Sequence, residues 1–331
     1  MLSTGFTKQE IEDIVKECLL LGGAQDKLDN RIIERIQLLI SYGFNVKDIV
    51  RIFAKYPLVC MHTVQYIVDK FNSMVAFGFS KDDVIKVIKF FPNIIGIDIQ
   101  QKISSIKKFG YKQDEIIKMI KYFPNVLSFS DSNMHNKILE MVNLGFKRDI
   151  VIRMLKKIPQ IFSYGIDNIK QKIDAFVNLG YVKNDVIDMI SNYPQLLGLS
   201  IDTIKKRIDG MLELGYTLEE IIRITVLFPS LFGSSLQNIK EKKEFYDSIG
   251  LSQIIVINPK IMMQSVDLSY ARYMYLKSID INIDMSNYTL LFRSQKQFLD
   301  KYGKNTKELI SQFNYDRVPV SKEDTIVKRK K

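Results

Sequence analysis

Glycine and proline recur along this chain on a fixed ruler. Gly43, Gly78, Gly110, Gly145, Gly180 and Gly215 are each followed 14 residues later by a proline, namely Pro57, Pro92, Pro124, Pro159, Pro194 and Pro229. The next glycine comes 21 residues after each proline, except for the 18 residues between Pro92 and Gly110. Pro229 leads in the same way to Gly250, which opens a shortened unit that reaches Pro259 in nine residues. A period of about 35 residues is the signature of stacked helical repeats, in which no unit buries its apolar face alone. The expected fold class is all-α, a superhelical solenoid of about eight to nine such units. The sequence leaves the hand of the superhelix open.

Each unit reads as two α-helices and a short third helical turn. Ile67, Phe71, Met74 and Phe77 share one helical face ahead of Gly78. Glycine then ends the helix, because it adopts positive φ at no steric cost. The residue after the glycine is large and apolar in every unit: Phe44, Phe79, Tyr111, Phe146, Tyr181, Tyr216 and Leu251. Its partner in a Schellman cap is apolar too: Leu39, Met74, Ile106, Met141, Phe176, Met211 and Tyr246. A new helix follows, with capping-box pairs at Asn45/Asp48, Ser80/Asp83 and Thr217/Glu220. Thr7 and Glu10 repeat that pair after Gly5, so a degenerate first unit is expected to start there. Proline stops the helix, since the residue before it is disfavoured in the α region. The short apolar hooks that follow, such as Asn93-Ile94-Ile95 and Gln195-Leu196-Leu197, suit a single turn packed into the core.

The unit runs Gly-aromatic, Asp/Glu-Ile/Val, aromatic/Ile-Pro-x-Ile/Leu-Leu/Phe, then Lys-Ile-x-x-Leu-x-x-Leu-Gly. It resembles the mitochondrial transcription termination factor (mTERF) repeat over residues 5–303. Leu291-Phe292-Arg293-Ser294-Gln295-Lys296-Gln297-Phe298 with Tyr302 is similar to the close of that family. Departures are Asp280 where a glycine is due, Leu19 where a proline is due, and the short Gly250 unit. Pentatricopeptide repeats share the period but not the 14-residue Gly–Pro spacing, and tetratricopeptide repeats want a Trp this chain lacks. The expected organisation is an array over 1–303, with a degenerate unit at 1–42, regular repeats at 43–250 and degenerate units at 251–303. A flexible basic tail is expected at 304–331. The resemblance implies a left-handed half-doughnut, without catalysis, that holds double-stranded DNA along a basic concave surface. It also implies a role in transcription termination or regulation, in mitochondria or plastids. In some relatives bases are flipped out and stacked on side chains.

Charge agrees with a polyanionic partner. The formal net charge is +11, with 37 Lys and 11 Arg. Residues 304–331 hold eight basic and four acidic side chains, hence +4, so +7 belongs to the array. Lysine is a point charge suited to phosphate, whereas arginine gives bidentate contacts to guanine. A first cationic row lies eight residues before each glycine: Arg35, Lys70, Lys102, Lys137, Lys172, Arg207 and Lys242, with Arg272 eight before Asp280. Stacking should align it along one edge, where it could track a phosphate backbone. The competing reading is structural, each stem lying over its own apolar face. A second row lies six residues before the prolines: Arg51, Lys86, Lys118, Arg153 and Arg223, broken by Asp188. Lys89, Lys121 and Lys156 follow one turn later. The competing reading there is a solvated helix face. Tyr164, Tyr270 and Tyr288 are the aromatics furthest from core spacing. The terminal Lys328-Arg329-Lys330-Lys331 suits nucleic acid, targeting or plain solvation.

Other functions find no support. Cys18 and Cys60 make no disulfide framework, and His62 and His135 no ligand pair, so no metal or cofactor is expected. There is no phosphate loop and no triad motif. No apolar run reaches the roughly 18–20 residues that span a bilayer. No transit peptide is visible, as Glu10, Glu12 and Asp13 come early, so a processed organellar chain and a prokaryotic or cytosolic one fit equally. The expected protein is a monomer. The rival readings are a binder of structured ribosomal or intron RNA and a protein-interaction scaffold.

Overall fold

The computed structural model describes residues 6–19 and 25–315. Those residues form eighteen α-helices and eight 3-10 helices, with no strand among them. After α1 (Lys8–Leu19) and α2 (Gln25–Ser41), the chain alternates pre-proline helices with pre-glycine helices. The pre-proline helices are α3 (Val46–Lys55), α5 (Lys81–Phe90), α7 (Gln113–Tyr122), α9 (Arg148–Lys157), α11 (Lys183–Asn192), α13 (Leu218–Leu227) and α15 (Ile254–Ile257). The pre-glycine helices are α4 (Val64–Phe77), α6 (Ile99–Lys107), α8 (Asp131–Asn143), α10 (Ile166–Asn178), α12 (Ile201–Glu213), α14 (Leu236–Ser248) and α16 (Val266–Ser278). A five-residue 3-10 turn separates the two kinds in each repeat, from Pro57–Met61 to Pro259–Met263. A last 3-10 turn (Tyr288–Phe292), α17 (Gln295–Tyr302) and α18 (Thr306–Gln312) close the fold. The chain divides into two compact units, Met1–Ile166 and Asp167–Lys331.

The punctuating residues act through backbone geometry. All seven repeat glycines have positive φ, from 76° at Gly250 to 117° at Gly78. The following amide reaches back to the carbonyl five residues earlier, as in Phe44 to Leu39 (3.1 Å) and Tyr216 to Met211 (3.2 Å). That is the Schellman bond the apolar pairs predict. Gly110 ends its helix instead through successive tight bonds, Lys108 to Ser105, Phe109 to Ile106 and Gly110 to Lys107. Its repeat is the one short by three residues, and α6 has nine residues against 13 in α8. Asp280 takes the glycine conformation at φ 57°, and Ile281 makes the bond to Leu276 (2.9 Å).

Before each proline the backbone leaves the α region, with φ between −145° and −131° at the seven junctions. Proline then sits first in the 3-10 turn, where its missing N–H costs no bond. The hook residues Ile94, Ile95, Val126, Leu127, Leu196 and Leu197 are buried, as expected. Reciprocal capping boxes form at Thr7/Glu10, Asn45/Asp48 and Thr217/Glu220. Ser80 caps the Asp83 amide, but the Asp83 carboxylate turns to Lys121 instead of completing the box.

Folded structure runs past residue 303, where a tail was expected to begin. Asn305 and Glu308 cap α18, Leu309 is buried, and the Tyr315 ring lies 5.1 Å from that of Tyr270. The terminal basic cluster 328–331 lies outside the described residues.

A Cβ added at Gly215 meets nothing within 4 Å, so Gly215→Ala tests the φ of 89° alone. It is expected to cost about 1–2 kcal/mol in denaturant unfolding. Asp280→Gly is expected to stabilise by up to about 1 kcal/mol in the same assay.

Candidate nucleic-acid interface

The first cationic row points inward. In Met1–Ile166 each head donates to the carbonyl that ends the next 3-10 turn. Arg35 donates to the His62 carbonyl (2.9 Å), Lys102 to Phe129 (2.7 Å) and Lys137 to Tyr164 (2.6 Å). Lys70 reaches the Ile97 carbonyl in the same way. In each of these the acceptor lies 27 residues on, so one register repeats along Met1–Ile166. In the second unit Lys172 bonds the Leu197 and Leu199 carbonyls, and Lys242 bonds that of Met262. Arg272 donates to Leu291 (2.8 Å) and Arg293 (2.7 Å) and lies 4.6 Å over the Phe298 ring. Arg207 occupies the equivalent position and is half-buried.

Helix ends leave carbonyls unsatisfied and carry partial negative charge, so a cation is favourable there. The cost is desolvation. Arg35, Lys172, Lys242 and Arg272 are buried, with Arg272 only 1% exposed. Burial pushes the ammonium pKa values of Lys70, Lys172 and Lys242 down, and that of the Arg272 guanidinium down to about 10. Geometry therefore gives this row the work of fastening each pre-glycine helix to the next turn.

The second row points outward. Arg51, Lys86, Lys118, Arg153 and Arg223 are all exposed, as is Asp188, which interrupts them. One turn further on, Lys89, Lys121 and Lys156 behave differently. They bridge to the preceding repeat, Lys89 to Asp48 (2.6 Å), Lys121 to Asp83 (2.9 Å) and Lys156 to Glu115 (2.9 Å). Lys156 also lies 5.1 Å over the Tyr111 ring. The bond to Lys121 is the main reason the Asp83 carboxyl is held below its usual range. In Asp167–Lys331 the same position is Ser191, Val226 or Val256, and a buried Tyr181–Thr225 hydroxyl bond (2.7 Å) joins neighbouring repeats there.

Net charge is uneven along the chain. Residues 1–166 hold 24 basic and 17 acidic side chains, hence +7, while residues 167–303 hold 16 of each. Among the described residues no group of three or more His, Cys, Asp or Glu could hold a metal ion. No helix among them is long and apolar enough to cross a membrane. Tyr164 is half-buried with its carbonyl engaged, Tyr270 packs on Phe245 and Tyr315, and Tyr288 packs edge-on to Phe292.

The repeat geometry has a counterpart among known families. The mTERF family model matches residues 19–143 and again residues 129–299, most of the chain. The protein belongs to the mTERF family. No curated protein matches it. Membership in the mTERF family goes with nucleic-acid binding by a helical repeat array, generally without catalysis.

One exposed column of this mTERF array is not marked by sequence periodicity. Two residues before the repeat prolines stand Lys55, Phe90, Tyr122, Lys157, Asn192 and Leu227, all exposed. Phe90 and Tyr122 look like core residues in the sequence, yet they are 60% and 77% exposed. The signal was their distance from the second row: four residues, one turn along the same helix face.

Lys172→Met is expected to leave two carbonyls without their donor and to cost about 1–3 kcal/mol in denaturant unfolding. Unchanged stability would remove the fastening role from the first row.

Proposed function

We propose that this protein is a non-catalytic nucleic-acid-binding protein that grips its ligand by phosphate contacts along the pre-proline helices of Met1–Ile166. The observation that carries this reading is the exposed column Arg51, Lys86, Lys118 and Arg153, one cation per repeat, in the unit with all of the array's net positive charge. A phosphate backbone is a periodic line of negative charge, and a periodic row of cations matches it without reading sequence. Lysine-rich composition supports backbone contact over base readout. The first row would contribute indirectly in this reading, by fixing the repeats that present the second. Duplex DNA, with a role in transcription termination or regulation, is the ligand we propose, and the family's general association with nucleic acid supports it. Structured RNA presents the same backbone chemistry and is the second reading.

The test is equilibrium binding of duplex DNA and a structured RNA across a salt series. If five to seven phosphates are neutralised, log affinity should fall against log salt with a slope of about −4 to −6. Changing Arg51, Lys86, Lys118 and Arg153 together to Gln should flatten the slope by about four and leave the helical content intact. A slope near zero in the unmodified protein, or no effect of the quadruple change, overturns the phosphate-grip reading.

A further inference from the structure

We infer that the outer face of α5 and α7 holds an unpaired nucleic-acid strand, with phosphates against Lys86 and Lys118 and bases stacked on Phe90 and Tyr122. The inference rests on the nucleic-acid reading above and takes the ligand at this face as a single strand in place of the duplex named there. Lys86 and Phe90 are four residues apart on α5, and Lys118 and Tyr122 on α7, so each pair shares a helix face at roughly 5–6 Å between Cβ atoms. Both cations are exposed, and the two rings are 60% and 77% exposed. The core side of the same helices is already filled by Val87, Ile88, Met119 and Ile120. Both rings therefore lie more in solvent than in the core of their own repeats.

The two helices are neighbours in contact, and packed helices lie about 8–10 Å apart. A stacked strand advances about 3.4 Å per nucleotide, so one ring is met every two to three nucleotides. A groove that combines cations for the backbone with exposed rings for the bases is how single strands are held. A continuous duplex hides its base faces in the stack and would leave the rings in water. Lys55 and Lys157 stand in the ring position of the flanking repeats and continue the cationic path on either side. Carboxylates stand one turn back, Asp82 on α5 and Asp114 on α7. The Asp114–Lys118 pair is loose at 3.9 Å, with both side chains exposed. An apolar protein partner would have to desolvate this cationic surround, whereas a polyanion is attracted by it.

The chain contains no tryptophan, so Tyr122→Trp places a single reporter on this face. The probes are an oligothymidylate and a fully paired duplex of the same length, with binding followed by anisotropy and by tryptophan emission. Oligothymidylate should quench the tryptophan and the duplex should not. The double variant Phe90→Ala/Tyr122→Ala should bind oligothymidylate about tenfold or more weakly, while its duplex affinity stays within about twofold. Oligothymidylate binding without quenching, or equal quenching by the duplex, overturns the inference and leaves the phosphate grip standing. Failure of both probes to bind overturns the two together.

Discussion

The contact on which the repeats depend is a buried or half-buried cation set against the carbonyl end of the next 3-10 turn. Proline starts that turn and ends it within five residues, leaving carbonyls that no following amide can reach. The buried hook residues beside them limit the approach of water, so a donor from elsewhere in the protein is favourable there. A long side chain from the preceding pre-glycine helix supplies it, from Arg35 at one end to Arg272 at the other. The same contact sets the spacing between successive pieces of each unit. It survives the three-residue deletion before Gly110, because the residues lost lie ahead of Lys102 and the distance to Phe129 is kept.

That arrangement separates two populations of cations that look alike in composition. One population is engaged by partners within the protein, by carbonyls in the first row and by Asp48, Asp83 and Glu115 in the bridging lysines. The other remains on the outer face of the pre-proline helices, where no carboxylate but Asp114 approaches the second row within ion-pair distance among the described residues. Net charge alone cannot tell these apart. The excess of seven in residues 1–166 matters for a polyanion because part of it is carried by side chains that solvent reaches. In residues 167–303 the sums cancel, Asp188 interrupts the row, and Leu227 stands where Phe90 and Tyr122 stand earlier.

How the two units join their repeats also differs. Residues 1–166 use lysine–carboxylate pairs that are partly open to solvent and screened by salt. Asp167–Lys331 uses a dry hydroxyl pair, Tyr181 with Thr225. Charged joints go with the unit that carries the net positive charge, and the neutral joint with the unit whose charges cancel.

Much of this was legible in the sequence, because backbone rules are local. Only glycine takes φ near 90° without strain, and only proline forbids the helix on its N-terminal side, so their spacing fixes where each helix ends. Asp280 stood out in the sequence only as a departure from the pattern, and its left-handed backbone was decided by the fold. The alternating apolar pairs around each glycine foretold the caps that Phe44, Phe146 and Tyr216 make. Recurrence of the first row was equally plain, but its direction was not. Whether a lysine stem ends in solvent or on a carbonyl depends on a turn 27 residues away, and no local rule reports that distance. Phe90 and Tyr122 were hidden for the mirrored reason, since apolar rings at helical spacing read as core until the neighbouring repeats show which side is filled. The sequence by itself determined the repeat, its helix ends and its charge. Only the tertiary structure decided which cations are buried and which rings are bare, because burial is a property of the partners that folding brings together.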